Sequence, residues 1–203
     1  MPDDEVVRDY TVALTNIRDR LINARGQLDA GANLYAIESA ALHIRFALED
    51  LLLSALITHK ADLGDVTNSL RKADAGEARK RVERINPGWW PNPQDLTQGG
   101  PYGVAVTSEG HHDPDFMTAD EWGRNFGTVS DLLHARNPFA PERPGPHAMR
   151  MQLLEIVDRT WRLLKAHTLS TGGDGVLVLG RFDDVNVEVG VLTKISELPN
   201  DYE

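Results

Sequence analysis

Cysteine is absent from all 203 residues, which excludes disulfides, thiolate metal sites and cysteine nucleophiles together. Several other constellations are missing as well. The chain has no phosphate-binding Gly-rich loop closing on Lys-Ser/Thr, no strand-anchored Gly-x-Gly-x-x-Gly, no Gly-x-Ser-x-Gly elbow and no His-Glu-x-x-His. Nucleotide-cofactor, serine-hydrolase and zinc-protease chemistry therefore have no carrier motif. "GGDG" near the C-terminus follows a helical pattern and reads as a turn. Neither a cofactor nor a metal is expected. "HHDPD" does offer His111, His112, Asp113 and Asp115, but adjacent ligands in a polar loop read as solvated residues.

Positive charge is scarce. Lys and Arg number 21 against 31 Asp and Glu, for a net charge of −10 and a pI near 5.1. Phosphate contacts depend on clustered cations, so any nucleic-acid role must rest on a local basic patch. Long uninterrupted apolar runs are also lacking. The most apolar stretch, "AIESAALHIRFALEDLLLSALITH", is broken by Glu38, Arg45, Glu49 and Asp50. Charges at that density suit a buried helix rather than a membrane span. The acidic start "MPDDEVVRDY" has neither the basic nor the apolar region of a signal peptide. No membrane association is expected, and the expected location is the cytoplasm.

What remains is helical patterning. Apolar residues recur at Val6, Tyr10, Ala13, Ile17 and Leu21, predicting a helix from about Asp3 to Arg25 that breaks at Gly26 and Gly31. A second helix, Asn33 to His59, is apolar nearly all round and is expected to be central. Glu38, Arg45 and Glu49 share one of its faces, as an ion-pair ladder or a buried polar seam. A third helix is predicted from Asp65 to Ile85. Its outer face carries Arg71, Lys72, Arg79, Lys80, Arg81 and Arg84 against Asp74, Glu77 and Glu83, an excess of three positive charges (6 − 3). That face is a solvated surface or the dock of an anionic partner. "NPGWWPNP" then reads as a stiff loop folded over the core, or as an aromatic platform.

A short hairpin is expected around "YGVAVTSEGHHDPDF". Thr118 and Glu121 form a capping-box pattern ahead of Trp122, Phe126, Val129 and Leu133, which lie at helical spacing. That helix stops at Asn137-Pro138, and Pro138, Pro141, Pro144 and Pro146 stiffen the connector. A last helix runs from about His147 to His167. "VLVLGRFDDVNVEVGVLTKI" reads as two strands joined near Asp183-Asp184, with Val185, Val187, Val189 and Val191 on one side. The expected fold class is mainly α: about five helices over residues 1–169, with an irregular loop at 86–117. A small C-terminal β-hairpin and acidic tail, 170–203, pack on that bundle.

One cluster could carry chemistry. Asp131 and His134 are one helical turn apart, so Asp131 can orient the imidazole of His134. Arg136 and Asn137 follow at the helix end, with His147 and the nearby Arg143 at the start of the next helix. An Arg beside a His could flank a phosphodiester, the Arg stabilising charge and the His moving a proton, with no metal required. The plainer reading is a helix ending, with His134 on a backbone carbonyl and Arg136 at the C-terminus.

The order "ESAALHIRFALEDLLLSALITH", "INPGWWPNP", "FGTVSDLLHARNPF" and the terminal "VLVLGRF" resembles a group of bacterial proteins of unassigned function, and more broadly the HEPN superfamily. Arg136-Asn137 is similar to the start of the HEPN motif, in which a His follows a few residues on. Here the next His is His147, ten residues beyond Asn137. The resemblance implies a helical bundle, often a homodimer, acting on RNA as a metal-independent endoribonuclease of toxin–antitoxin or defence type, or serving as a binding module. In the first case Arg136 would stabilise the phosphorane, with His134 or His147 as acid and base. The basic face would hold RNA. In the second case the chain would be a homodimeric module gripping a protein partner.

Overall fold

The computed structural model of the chain describes residues 2–59, 63–72, 74–99, 103–107, 115–134, 144–170 and 176–193. Six α-helices and six β-strands occur among them. The chain is mainly helical, with a small antiparallel sheet toward the C-terminus. α1 (Pro2–Asp29) buries Tyr10, Leu14, Ile17, Leu21, Ala24 and Leu28. Leu28 carries it beyond the expected stop at Arg25, because Gly26 lies inside the helix and there is still core to cover. The turn comes instead at Gly31, whose φ of 145° favours a residue without Cβ. α2 (Leu34–Ser54) starts where Asn33 accepts from the Ala36 N–H. It packs along α1 and also meets α3, α5 and α6.

The single third helix of the sequence reading is two helices, α3 (Leu63–Arg71) and α4 (Ala75–Ile85). Asp74 accepts from the Glu77 N–H at 2.9 Å and so begins a new helix. Gly76, a poor helix former, sits in that first turn. α5 (Ala119–Leu133) has the anticipated capping box, with Thr118 and Glu121 satisfying each other's backbone. Trp122, Phe126 and Val129 are buried from it. Trp89 folds back onto this helix, edge-on to Trp122 with centroids 6.2 Å apart, so the double-tryptophan loop covers core.

α6 (Pro146–Lys165) begins with proline in its first turn, where no N–H is needed. It ends two residues before the expected His167, since Ala166–Ser170 form strand β4 instead. β4 joins β1 (Asn92–Pro93), β5 (Val176–Phe182) and β6 (Val187–Thr193) in a four-stranded antiparallel sheet of order β1-β4-β5-β6. The terminal hairpin is thus present, within a larger sheet. Val185 lies in its turn and is 77% exposed rather than on the valine face. β2 (Asp95–Gly99) and β3 (Gly103–Thr107) form a separate hairpin that lies further upstream than the expected one, with only β3 inside the stretch "YGVAVTSEGHHDPDF". Leu169, Val178 and Phe182 of the sheet enter the same core as the helices, with Trp161 edge-on to Phe182 at 4.6 Å. No helix among the described residues is long and apolar enough to cross a membrane.

Candidate functional site

The cluster expected at the end of α5 is only partly described. Asp131 lies in the last turn of α5 and His134 is its C-cap, its N–H bonded to the Ser130 carbonyl. Both are exposed, and His147 is exposed in the first turn of α6. Arg136, Asn137 and Arg143 lie outside the described residues, as do His111, His112 and Asp113. Asp115 forms an ion pair of 2.8 Å with Arg162. No group of three or more His, Asp or Glu poised for a metal occurs among the described residues.

The six cations of the basic segment do not act as one patch. Arg79 reaches Glu83 at 2.6 Å, Asp120 at 2.9 Å and the Ala119 carbonyl at 2.8 Å, and its guanidinium stands over Trp89. It joins α4 to the start of α5. Burial alone would lower its pKa, but Glu83 and Asp120 outweigh this and raise it, so its charge is fixed. Arg81 bridges Glu77 and Asp65, tying α4 to α3. Arg71, Lys72, Lys80 and Arg84 are exposed. The break at Asp74 separates Arg71 and Lys72 from the other four, so they do not share one continuous helix face.

Glu38, Arg45 and Glu49 are not a buried seam. Glu38 is exposed, while Arg45 and Glu49 are half-buried and bonded to each other at 3.0 Å. The reason is the helix they stand on. α2 is apolar nearly all round, yet one of its faces leaves large apolar side chains exposed. At about 100° per residue, Tyr35, Leu42 and Phe46 fall within roughly 40° of one another on that face. Tyr35 is 80% exposed, Leu42 42% and Phe46 36%. The three charged residues line one flank of this strip, with Arg45 over the Phe126 ring. Along the other flank Arg20 of α1 stacks on Phe46 at 4.6 Å and bonds Asp50 at 3.2 Å. His43 is beside them, its Nδ1 buried without a partner, and burial and Arg20 lower its pKa. The i, i+7, i+11 spacing of Tyr35, Leu42 and Phe46 was visible in the sequence. An apolar composition alone does not say which side of such a helix its neighbours cover.

A second feature carried no sequence signal. His167, fully buried in β4, meets the Tyr10 hydroxyl of α1 at 2.5 Å through Nε2 and the Leu164 carbonyl at 3.0 Å through Nδ1. A carbonyl can only accept, so Nδ1 carries the proton, and Tyr10 donates to the Nε2 lone pair. Burial lowers the His167 pKa to about 4 and raises that of Tyr10. Both stay neutral and closed to solvent, which suits a structural tie rather than proton transfer to a substrate. Comparison of the chain with family models, with curated proteins and with solved structures found no match.

Proposed function

We propose that this chain is a homodimeric interaction module that associates through the outer face of α2. The observation that carries this is the strip of Tyr35, Leu42 and Phe46, large apolar side chains left to water on the helix richest in apolar residues. Lone exposed apolar residues are ordinary; three at helical spacing mark a contact surface. The flanking charges favour a second copy as the occupant. In an antiparallel α2 pair about a twofold axis near Leu42, Glu38 of one copy faces Arg45 of the other, and the contact is made twice. Apolar residues then meet along the axis while opposite charges set the register.

Sedimentation equilibrium at micromolar concentration tests this directly. The expected mass is twice 22.5 kDa, falling to the monomer value in Leu42→Glu and Phe46→Glu with helical content retained. Glu38→Lys weakens the dimer, and adding Arg45→Glu recovers part of the loss. A wild-type protein that sediments as a monomer would remove the proposal.

A second reading keeps the chain an RNA-directed, HEPN-like protein. It is favoured by the exposure of Asp131 and His134 at the end of α5 and of His147 at the start of α6, on either side of Arg136-Asn137 in the sequence. The cleavage it implies is attack of a 2′-hydroxyl on phosphorus with departure of the 5′-oxygen. One His takes the first proton and the other supplies the second, while Arg136 steadies the charge. The exposed Arg71, Lys72, Lys80 and Arg84 would hold the backbone. Incubation with mixed RNA in EDTA distinguishes the readings. Fragments ending in 2′,3′-cyclic phosphate, lost in His134→Ala and Arg136→Ala, support cleavage. Intact RNA with no salt-sensitive retention leaves the interaction module alone.

A further inference from the structure

A groove of about 520 Å³ opens where the end of α6 meets β1 and the β5–β6 turn. Its size is in the range of small-ligand sites. Three cations line it: Arg162 and Lys165 from the last turn of α6, and Arg181 from β5. Asp183 and Glu188 line it as well, so three cations stand against two carboxylates, a small positive excess in a chain of net charge −10. The negative groups at the groove are already engaged. Asp115 pairs with Arg162 at 2.8 Å and Glu188 with Arg181 at 2.6 Å. Asp183 turns one oxygen to the Val185 and Asn186 N–H groups, whose bonds hold its carboxyl below the usual range. Lys165 is exposed and forms no ion pair among the described residues. The partial negative charge at the end of α6 is offset by the two cations of its own last turn.

The rest of the lining differs in kind. Phe116, Phe182 and Pro93 give it an apolar wall. Gln94, only 8% exposed, also lines it. Its side-chain nitrogen donates to the Asn92 carbonyl and to Thr168 Oγ1, at 3.2 and 3.1 Å, so the amide is held in place. Its Oε1 is buried with no donor. An orphaned buried acceptor of this kind costs about 1–3 kcal/mol, and a bound donor that reached it would relieve it. A simple inorganic anion would meet the cations but leave both wall and acceptor unused. A ligand with an anionic end, a flat apolar face and an N–H edge uses all three.

We propose that the groove binds a nucleotide, its phosphate held by Lys165 with Arg162 and Arg181. The base lies against Phe116 and Pro93, with an amino or ring N–H directed to Gln94. This does not depend on how the chain associates through α2. The nucleotide is either a free mononucleotide or one unit of an RNA strand, since both present the same chemistry.

Titration calorimetry of the full-length chain separates the cases. The probes are AMP, GMP, CMP and UMP, the four nucleosides, inorganic phosphate, and a short single-stranded RNA. At least one mononucleotide binds, at least about tenfold more tightly than its nucleoside or than phosphate alone, as expected when charged and uncharged contacts both contribute. Lys165→Gln weakens binding about tenfold or more with an unchanged melting temperature, since Lys165 is a surface residue. Gln94→Glu, which retains the acceptor, keeps the order of preference among bases more closely than Gln94→Leu. Tighter, Lys165-dependent binding of the RNA identifies the strand as the source. Absence of binding by every nucleotide and by RNA at millimolar concentration overturns the proposal. So does phosphate binding as tightly as any nucleotide, or Lys165→Gln binding like wild type.

Discussion

The hydroxyl of Tyr10 donates to Nε2 of His167 across 2.5 Å, joining the first helix to the strand that follows the last one. The two residues are 157 positions apart, and both are buried among apolar neighbours. A buried polar pair costs little only while each member remains satisfied. Here the imidazole uses both nitrogens, and the phenol proton has a single destination. The pair therefore fixes how α1 lies against the sheet, since sliding either element would strand the Tyr10 hydroxyl and His167 Nε2 together.

Acid should loosen this tie before it affects most carboxylates. In the folded chain His167 protonates only near pH 4, whereas unfolded His protonates near 6.5. Between those values the unfolded state binds the extra proton, so stability is complete above about pH 6.5 and declines as pH falls toward 4. The shift corresponds to about 3 kcal/mol over that window. Urea unfolding at pH 7, 5.5 and 4.5 measures it. His167→Gln should be less stable at pH 7 and show a flatter profile across the same window. A wild-type profile as flat as the variant's contradicts the assignment. Tyr10 acts at the other extreme: its raised pKa keeps it neutral in the fold, so stability falls once unfolded Tyr ionises, above about pH 10.

Gly180 reports on the same pair by steric means. A Cβ placed there would stand 2.8 Å from His167 Cε1, 2.9 Å from Nε2 and 3.0 Å from Leu14 Cδ2. The imidazole cannot retreat without breaking one of its two bonds. Gly180→Ala is expected to cost roughly 1–3 kcal/mol by overpacking. In combination with Tyr10→Phe the losses should not add, because both act on one imidazole. Additivity within about 0.5 kcal/mol in urea unfolding would count against a shared mechanism.

The helices were legible in the sequence where periodicity and capping agreed. Thr118, Glu121 and the Trp122–Phe126–Val129 stripe specify α5 through contacts within four residues of one another, so local reading sufficed. The break at Asp74 was harder, because apolar spacing continues through it from Leu70 to Val82 and only the cap at Glu77 divides the helix. β4 was missed for a different reason. Ala166–Ser170 has no alternation of its own, and it becomes a strand because β1 and β5 pair with it on both sides. The face of α2 was misjudged because composition says how apolar a helix is, and only tertiary neighbours say which side they cover. Tyr10 and His167 could not be paired at all, since nothing in sequence brings positions so distant together.

Asn86 is the point where several segments are tied. It is fully buried at the end of α4, and its side-chain nitrogen donates to the Ala55 carbonyl at 3.0 Å and the Ser170 carbonyl at 2.7 Å. Its oxygen accepts from the Gly88 N–H at 3.1 Å. One side chain thus joins the end of α2, the tryptophan loop and β4. Asn86→Ala orphans two carbonyls and an N–H, with an expected loss of about 3 kcal/mol or more. Trp89 lies three residues on, so its fluorescence should shift to longer wavelength in the variant as the loop opens. Loss of stability without any spectral change would mean that Asn86 acts through α2 and β4 alone.

Glu121 makes the corresponding tie at the start of α5. Its oxygens accept from the two terminal nitrogens of Arg159 at 2.8 and 2.7 Å, and from the Thr118 N–H at 2.9 Å. Arg159 in turn donates to the Phe116 carbonyl at 2.7 Å. Burial pushes the Glu121 carboxyl up, but Arg159 and Thr118 together outweigh it and hold the pKa below the usual value. Its contribution is therefore present above the pKa of unfolded Glu and is lost as pH falls through the lower folded value. This loss lies at more acid pH than that of His167, so the acid limb of the stability curve should have two parts. Glu121→Gln keeps the shape and much of the cap but removes the charge, and should cost roughly 2 kcal/mol at pH 7. Arg159→Ala should cost more, because it leaves Glu121 charged and half-buried with only the Thr118 bonds and a longer ion pair to the exposed Arg124 at 3.7 Å. If Glu121→Gln leaves the steeper, more acid part of the curve unchanged, that part arises from other carboxylates and the Arg159 pair is a surface contact of small effect.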